Sequence, residues 1–502
     1  MTNSKSLRTL GLALACAAIT FSVAVCAQAQ TLNYFADFNG GNGWEPYASV
    51  TQATDGNFYG AATNGIEGGG GNMFRMTPSG KITSIYKFCS LPDCADGGFV
   101  TSAPVVGTDG NLYGVTTGGG GSGLTGNAGG TVFRMTLDLK YTVVYTFCSI
   151  SNCADGATPN GIILGSDGNF YGTTVYGGVG DGGPGVIFKV TPDGTYTRLH
   201  AFCAEANCTD GEKPFFPPIQ GNDGDFYGVA GDGGTLGGGV FYKVTASGEY
   251  SVIYNFCNFQ TSACLHGGYP YAIAKDAEGN FVGTAIGGAH GYGVVFKITP
   301  GGRYTVLHNF APYGDLGYPG TPLTLGSDGN LYGTFIGSGS GTWGPFGRGG
   351  IYEVTSKGEF RGLHGFCPSC GGDGSTTGGF SPLDPVSQGT DGNFYGTTAF
   401  GGIGGNKGEA FGFGTVFQFS NNLSPFVQTV PATGKAGKSV LILGYGLSGT
   451  SSVTFNGEQA AFTVESDTYI RATVPAGATT GTVSVFAASG TLNSNPQFVV
   501  TK

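Results

Sequence analysis

The hexad Asp167-Gly168-Asn169-Phe170-Tyr171-Gly172 returns, slightly altered, at Asp55, Asp109, Asp223, Glu278, Asp328 and Asp391. Recurrence at a period of about 50 to 60 residues means a repeat array, whose units cannot bury their apolar surface alone and must stack. In the period from residue 103 to 153, Pro104-Val105-Val106 reads as a strand and Asp109-Gly110 as a hairpin turn. Residues 112–116, 131–135 and 141–147 read as three more strands. Four short antiparallel strands per period is the pattern of a propeller blade, so seven hexads predict an all-β, seven-bladed β-propeller. The 98 glycines alone would suggest low complexity, but 37 Phe and 25 Tyr recur among them at fixed places, which a disordered chain lacks.

The ends of the array predict closure. The seventh copy stops after its third strand, residues 415–419, and departs into Asn421-Asn422-Leu423. Residues 32–38 match the fourth-strand residues 196–202 and precede the first hexad, where they have no sheet of their own. The N-terminal strand is therefore expected to complete the last blade and leave no free edge. The tight turns, Asp-Gly-Asn and Thr-Pro-x-Gly, fall on one face and the long loops on the other, where function is expected.

From Ser424 the Gly-Phe-Tyr periodicity ends, and residues 439–444, 452–457, 469–475 and 482–485 read as strands of a small sandwich. The expected division is 1–29, 30–422 and 423–502, with the last segment independent enough that its removal leaves the propeller's melting unchanged.

Residues 1–29 read as a secretory signal. Lys5 and Arg8 precede an apolar run over residues 10–25, and Ala27-Gln28-Ala29 supplies the cleavage site. Cys26 as a lipid-anchored cysteine is the alternative, against which the bulky Val25 stands. The reading implies secretion to the extracellular space, cell surface or periplasm, and no later run is long enough for a membrane span. Loss of Lys5 and Arg8 takes the net charge from −10 to about −12 with no basic cluster, a poor surface for nucleic acid or anionic membrane.

Ten cysteines remain after cleavage, in neighbouring pairs: Cys89/Cys94, Cys148/Cys153, Cys203/Cys208, Cys257/Cys264 and Cys367/Cys370. An even count in an exported chain argues for five local disulfides. Zinc is the rival reading, but no pair has a His or a second pair close in sequence.

The hexads with their partner strands, as in Gly185-Val186-Ile187-Phe188-Lys189-Val190-Thr191-Pro192, resemble the GloVer tandem-repeat proteins over residues 31–420. These are secreted bacterial chains, often with varied C-terminal anchors, and the resemblance implies no established activity. No such anchor is expected here, since Lys502 follows the last strand. Gly444-Tyr445-Gly446-Leu447-Ser448, Val453-Thr454-Phe455-Asn456-Gly457 and Val474-Pro475-Ala476-Gly477 resemble an IPT/TIG immunoglobulin-like domain. That implies a spacer, dimerisation unit or adhesive module. The hexad hairpin is also similar to those of streptogramin-lyase-like and NHL-like propellers, and no catalytic residue is carried over from them.

Candidate chemistry is sparse. The chain has no nucleophile elbow or HExxH, and no helix follows its glycine runs, so no cofactor or metal is expected. The hexad carboxylates, and Asp96, Asp155, Asp210 and Asp373 after the cysteine loops, read as turn-forming rather than calcium ligands. His200, His308 and His364 share a slot with Tyr86, Tyr145 and Tyr254 and read as packed rings. His290 and His266 are the weak candidates for an acid or base. Trp44, Phe99, Phe215, Tyr269, Tyr318 and Phe380, just ahead of the first strands, form either a ring of stacking platforms or inter-blade packing. The expectation is a non-catalytic binding or scaffold protein, with an extracellular polysaccharide or surface protein as partner. The alternatives are a lyase or hydrolase in the central funnel, and a purely structural surface protein.

Overall fold

The computed structural model describes residues 30–39, 42–64, 69–121, 129–179, 183–258, 264–311, 319–336, 349–366, 379–402 and 412–501. Across these the fold is all-β. Seven four-stranded antiparallel sheets, each built on one hexad, precede a C-terminal pair of four-stranded sheets. The second sheet holds Val105–Val106, Leu112–Thr116, Thr131–Met135 and Tyr141–Thr146, within two residues of the sequence expectation.

Each position of the hexad has a separate physical reason. The Asp carboxylate accepts the N–H two residues on, as Asp55 does from Asn57 at 3.1 Å, and closes the turn without a metal. Its second oxygen accepts the hexad tyrosine hydroxyl in all six hexads that carry both residues, at 2.7–3.0 Å. The Phe and Tyr are adjacent on a strand and so point to opposite faces. The Tyr therefore stacks on the hexad Phe of the next sheet, as in Tyr113 on Phe170 at 4.2 Å and Tyr171 on Phe226 at 3.8 Å. The closing glycine leaves room for an aromatic of the third strand, since a Cβ on Gly60 would meet Phe74 Cζ at 2.6 Å. The fifth hexad has Val282 in place of Tyr. There Asp276 accepts the N–H groups of Glu278 and Asn280 and pairs with Lys297 at 2.6 Å.

Hydrophobic clusters join successive sheets from first to seventh. A further cluster joins the seventh to the first, through Tyr395 and Val416 against Val50, Phe58 and Phe74. The N-terminal strand Thr31–Asp37 pairs antiparallel with Thr415–Ser420, supplying the fourth strand of the seventh sheet. First strands touch between the second and third, the fourth and fifth, and the fifth and sixth sheets, on the side away from the fourth strands.

The outer edge carries a second repeated device. Tyr86, Tyr145 and His200 reach Asp96, Asp155 and Asp210 at 2.8–3.0 Å. Those buried carboxylates also accept N–H groups of the cysteine loops. Each Tyr or His stacks on the next sheet's ring, His200 on Tyr250 at 3.7 Å. Four loops carry disulfides, Cys89–Cys94, Cys148–Cys153, Cys203–Cys208 and Cys257–Cys264. Cys367, Cys370 and Asp373 lie outside the described residues, as does the expected signal segment. Among the described residues no helix is long and apolar enough to cross a membrane.

The C-terminal sheets enclose their own core, including Ile442, Val453, Phe455, Ile470 and Phe498. They do not stand apart. Val430, Leu441 and Leu443 share a buried cluster with Ala53, Leu112 and Met135 of the first two sheets. Tyr445 Oη donates to Gly56 O at 2.7 Å, Thr433 Oγ1 to Gln220 Oε1 at 3.1 Å, and Asn495 Nδ2 to Leu325 O at 3.2 Å. The tight-turn face is thus covered, which corrects the expectation that residues 424–502 could leave without consequence. Apolar side chains of the last unit serve two cores.

Candidate functional site

The first strands converge on an inner space whose tight-turn end carries amides. Gln220 and Gln388 accept backbone N–H groups of the preceding sheets, Ser166 at 2.9 Å and Ser327 at 2.8 Å. Each also donates to the carbonyl of its own turn, Gly224 or Gly392. Gln52 accepts from Thr390 in the same way at 2.8 Å, but its turn carbonyl, Gly56 O, is held by Tyr445 of the C-terminal unit. A cavity of about 280 Å³ lies here between Gln52, Leu325 and Gln388 on one side and Gln428, Asn495 and Pro496 on the other. Its lining is uncharged.

The opposite end is aromatic. Six non-glycine residues that lead into first strands have left-handed backbones: Glu45, Phe99, Thr158, Lys213, Tyr269 and Ser381, with φ between 51° and 59°. Holding bulky side chains in that region costs energy and fixes where the following residues point. After two of these turns come Pro214-Phe215-Phe216 and Pro270-Tyr271. Tyr271 meets Phe215 at 5.8 Å and Phe216 at 5.1 Å between ring centroids, and all three rings are half-buried.

Asp384, from the entry to the seventh sheet's first strand, faces the same space. Its carboxylate accepts the Ser49 N–H of the first sheet, and Ser49 Oγ lies 2.9 Å from Ser387 Oγ. It keeps an accessible edge while protein surrounds it otherwise. That desolvation pushes its carboxyl up to about 8, against the lowering effect of the Ser49 N–H. Burial also raises the Tyr271 hydroxyl, and the nearby Asp384 charge raises it further. A carboxyl near a cluster of aromatic rings can accept hydrogen bonds from hydroxyls or pair with a cation, while the rings stack on apolar faces.

The six aromatics singled out in the sequence are not equivalent. Phe99 and Tyr269 occupy the left-handed position itself, Trp44 and Phe380 stand one residue earlier, and Phe215 stands two residues later. Trp44, Phe99, Phe215 and Tyr269 are half-buried, whereas Phe380 is 3% exposed and packs on Phe400 at 5.6 Å. Tyr318 lies outside the described residues. His266 and His290 are exposed, and among the described residues neither is paired with a carboxylate. Phe216, Tyr271 and Asp384 were not singled out, although the first two stand within two residues of Phe215 and Tyr269.

Three overlapping matches to the Gloeobacter/Verrucomicrobia repeat cover residues 18–220, 123–346 and 213–438. The chain belongs to this repeat family. The last unit of this Gloeobacter/Verrucomicrobia repeat protein matches the IPT/TIG domain over residues 425–500. No curated protein matches the chain. Among solved structures, it is similar to PorZ, a bacterial surface component of the type-IX secretion system of Porphyromonas gingivalis. Identity is 14% and the TM-score 0.45, over 93% of this chain and 60% of that one. It is also similar to an auxiliary nutrient binding protein from Bacteroides ovatus (11%, TM-score 0.37, 78% of this chain and 76% of that one). A third is the PQQ-bound aldose sugar dehydrogenase of Streptomyces coelicolor (12%, TM-score 0.36, 78% and 98%).

Proposed function

We propose that this chain is an exported, seven-bladed propeller, closed by its N-terminal strand, that binds an extracellular polysaccharide at the long-loop end of its axial channel. The observation that carries the reading is the trio Phe215, Phe216 and Tyr271, half-buried and touching across two sheets, beside Asp384. Sugar rings have apolar faces that stack on aromatics and hydroxyls that need fixed acceptors, and this arrangement offers both. Export is supported by four local disulfides, which persist in oxidising compartments. Closure is supported by the pairing of Thr31–Asp37 with the seventh sheet and by the cluster joining the seventh sheet to the first. A glycan-array screen of the exported chain tests the reading, with the expected hit abolished by Tyr271→Ala.

One observation favours a second reading, a lyase or hydrolase in the same channel: a carboxyl raised as Asp384 is could act as a general acid near neutral pH. Hydrolysis of a glycosidic bond by the common route needs a second carboxylate across the bond. Among the described residues no second acidic side chain acts on the Asp384 carboxyl. The binding reading therefore leads, and release of reducing ends from the array hit would reverse that order.

A further inference from the structure

We infer that the axial site selects a ligand bearing a primary amine, with Asp384 as its counter-ion and the Tyr271, Phe215 and Phe216 rings as its walls. This rests on the binding reading above and narrows its ligand to an amino sugar. Among the described residues the Asp384 carboxylate has one hydrogen-bond donor, the Ser49 N–H, and a charged carboxylate has room for several more. Among the described residues the titratable group facing it is Tyr271, which is neutral and cannot compensate a negative charge. A carboxylate enclosed without a cation is costly, and the cost is removed by the arrival of one. Aromatic faces beside a carboxylate add cation–π attraction for an ammonium, which a neutral sugar does not receive. The uncharged amide-lined cavity at the other end of the first strands lacks this chemistry.

Binding is then coupled to a proton. In the free protein near neutral pH, Asp384 holds its proton; when an alkylammonium binds, that proton passes to solvent and an ion pair forms. Charge balances, because one cation enters as one proton leaves.

The test is titration calorimetry of the full exported chain with a glucosamine oligosaccharide and with its N-acetylated counterpart, in two buffers of different ionisation enthalpy. We expect the amine form to bind at least tenfold tighter with proton release, and Asp384→Asn to erase both the preference and the release. Asn keeps an acceptor for the Ser49 N–H, so the variant should fold, which its melting curve checks. Equal binding of the two oligosaccharides, insensitive to Asp384→Asn, overturns the amine inference and leaves the polysaccharide reading intact. Absence of binding by both, with hits elsewhere on the array, also overturns it. Absence of any hit overturns both.

Discussion

The rings of Phe58 and Tyr395 lie 4.1 Å apart, centroid to centroid, so the first hexad packs on the last. The same Tyr-on-Phe contact joins Tyr332 to Phe394 at 4.1 Å and Tyr227 to Phe281 at 4.6 Å between consecutive sheets. The junction between the ends of the array is thus built like an internal one, including the Gln52–Thr390 hydrogen bond.

If closure through the N-terminal strand is right, deleting residues 31–38 strips the seventh sheet of its edge strand and exposes Thr415–Ser420 to other chains. The truncated protein should melt well below the parent and aggregate. Tyr395→Ala should cost about 3 kcal/mol or more, the range for a large buried aromatic, and should match Tyr171→Ala at an internal junction. Thermal melts and light scattering read both, and a truncation that melts like the parent would reject closure.

Removal of residues 424–502 uncovers Ala53, Leu112 and Met135 and breaks hydrogen bonds to Gly56 and Gln220. The remaining sheets should therefore melt earlier. Leu441→Ala in the full chain should lower stability by about 2–5 kcal/mol, whereas Tyr445→Phe, which removes one hydrogen bond, should cost about 1 kcal/mol. Unchanged melting after the deletion would mean that the interface contributes nothing to the sheets.

Asp384 sets a pH dependence with a definite sign. Its folded carboxyl is raised to about 8 from an ordinary 3.8. At pH values below the ordinary one, folded and unfolded chains both hold the proton and nothing is lost. Between the two values only the unfolded chain ionises, so stability falls as pH rises, and the loss is complete above about 8. Asp384→Asn should match the parent in melting at acid pH and exceed it at pH 8. A variant no more stable than the parent at pH 8 would show that the carboxylate is not desolvated.

The strands and the pairing of the N-terminal strand with the seventh sheet were legible because period-two alternation and Asp-Gly turns depend on local sequence, and because an orphan strand at one end matched a missing strand at the other. The hexad tyrosine hydroxyl was less so: its partner Asp sits four residues earlier, but their meeting depends on the turn geometry. Docking of the last unit was not legible, since Val430, Leu441 and Leu443 read as residues of its own sandwich. Nor was Asp384, a single acid in Pro382-Leu383-Asp384-Pro385. It faces Tyr271 only because stacking brings the fifth and seventh sheets to one space, and no local motif records that.

The most direct test of the account is glycan binding by the exported chain beside its Tyr271→Ala and Phe216→Ala variants, with melting curves measured on the same samples. Both rings are half-buried. The parent should bind a polysaccharide, and each variant should lose most of that binding while its melting falls far less than that of Tyr395→Ala. Binding retained in both variants, or lost only in step with unfolding, would contradict a ligand site at the axial aromatic cluster.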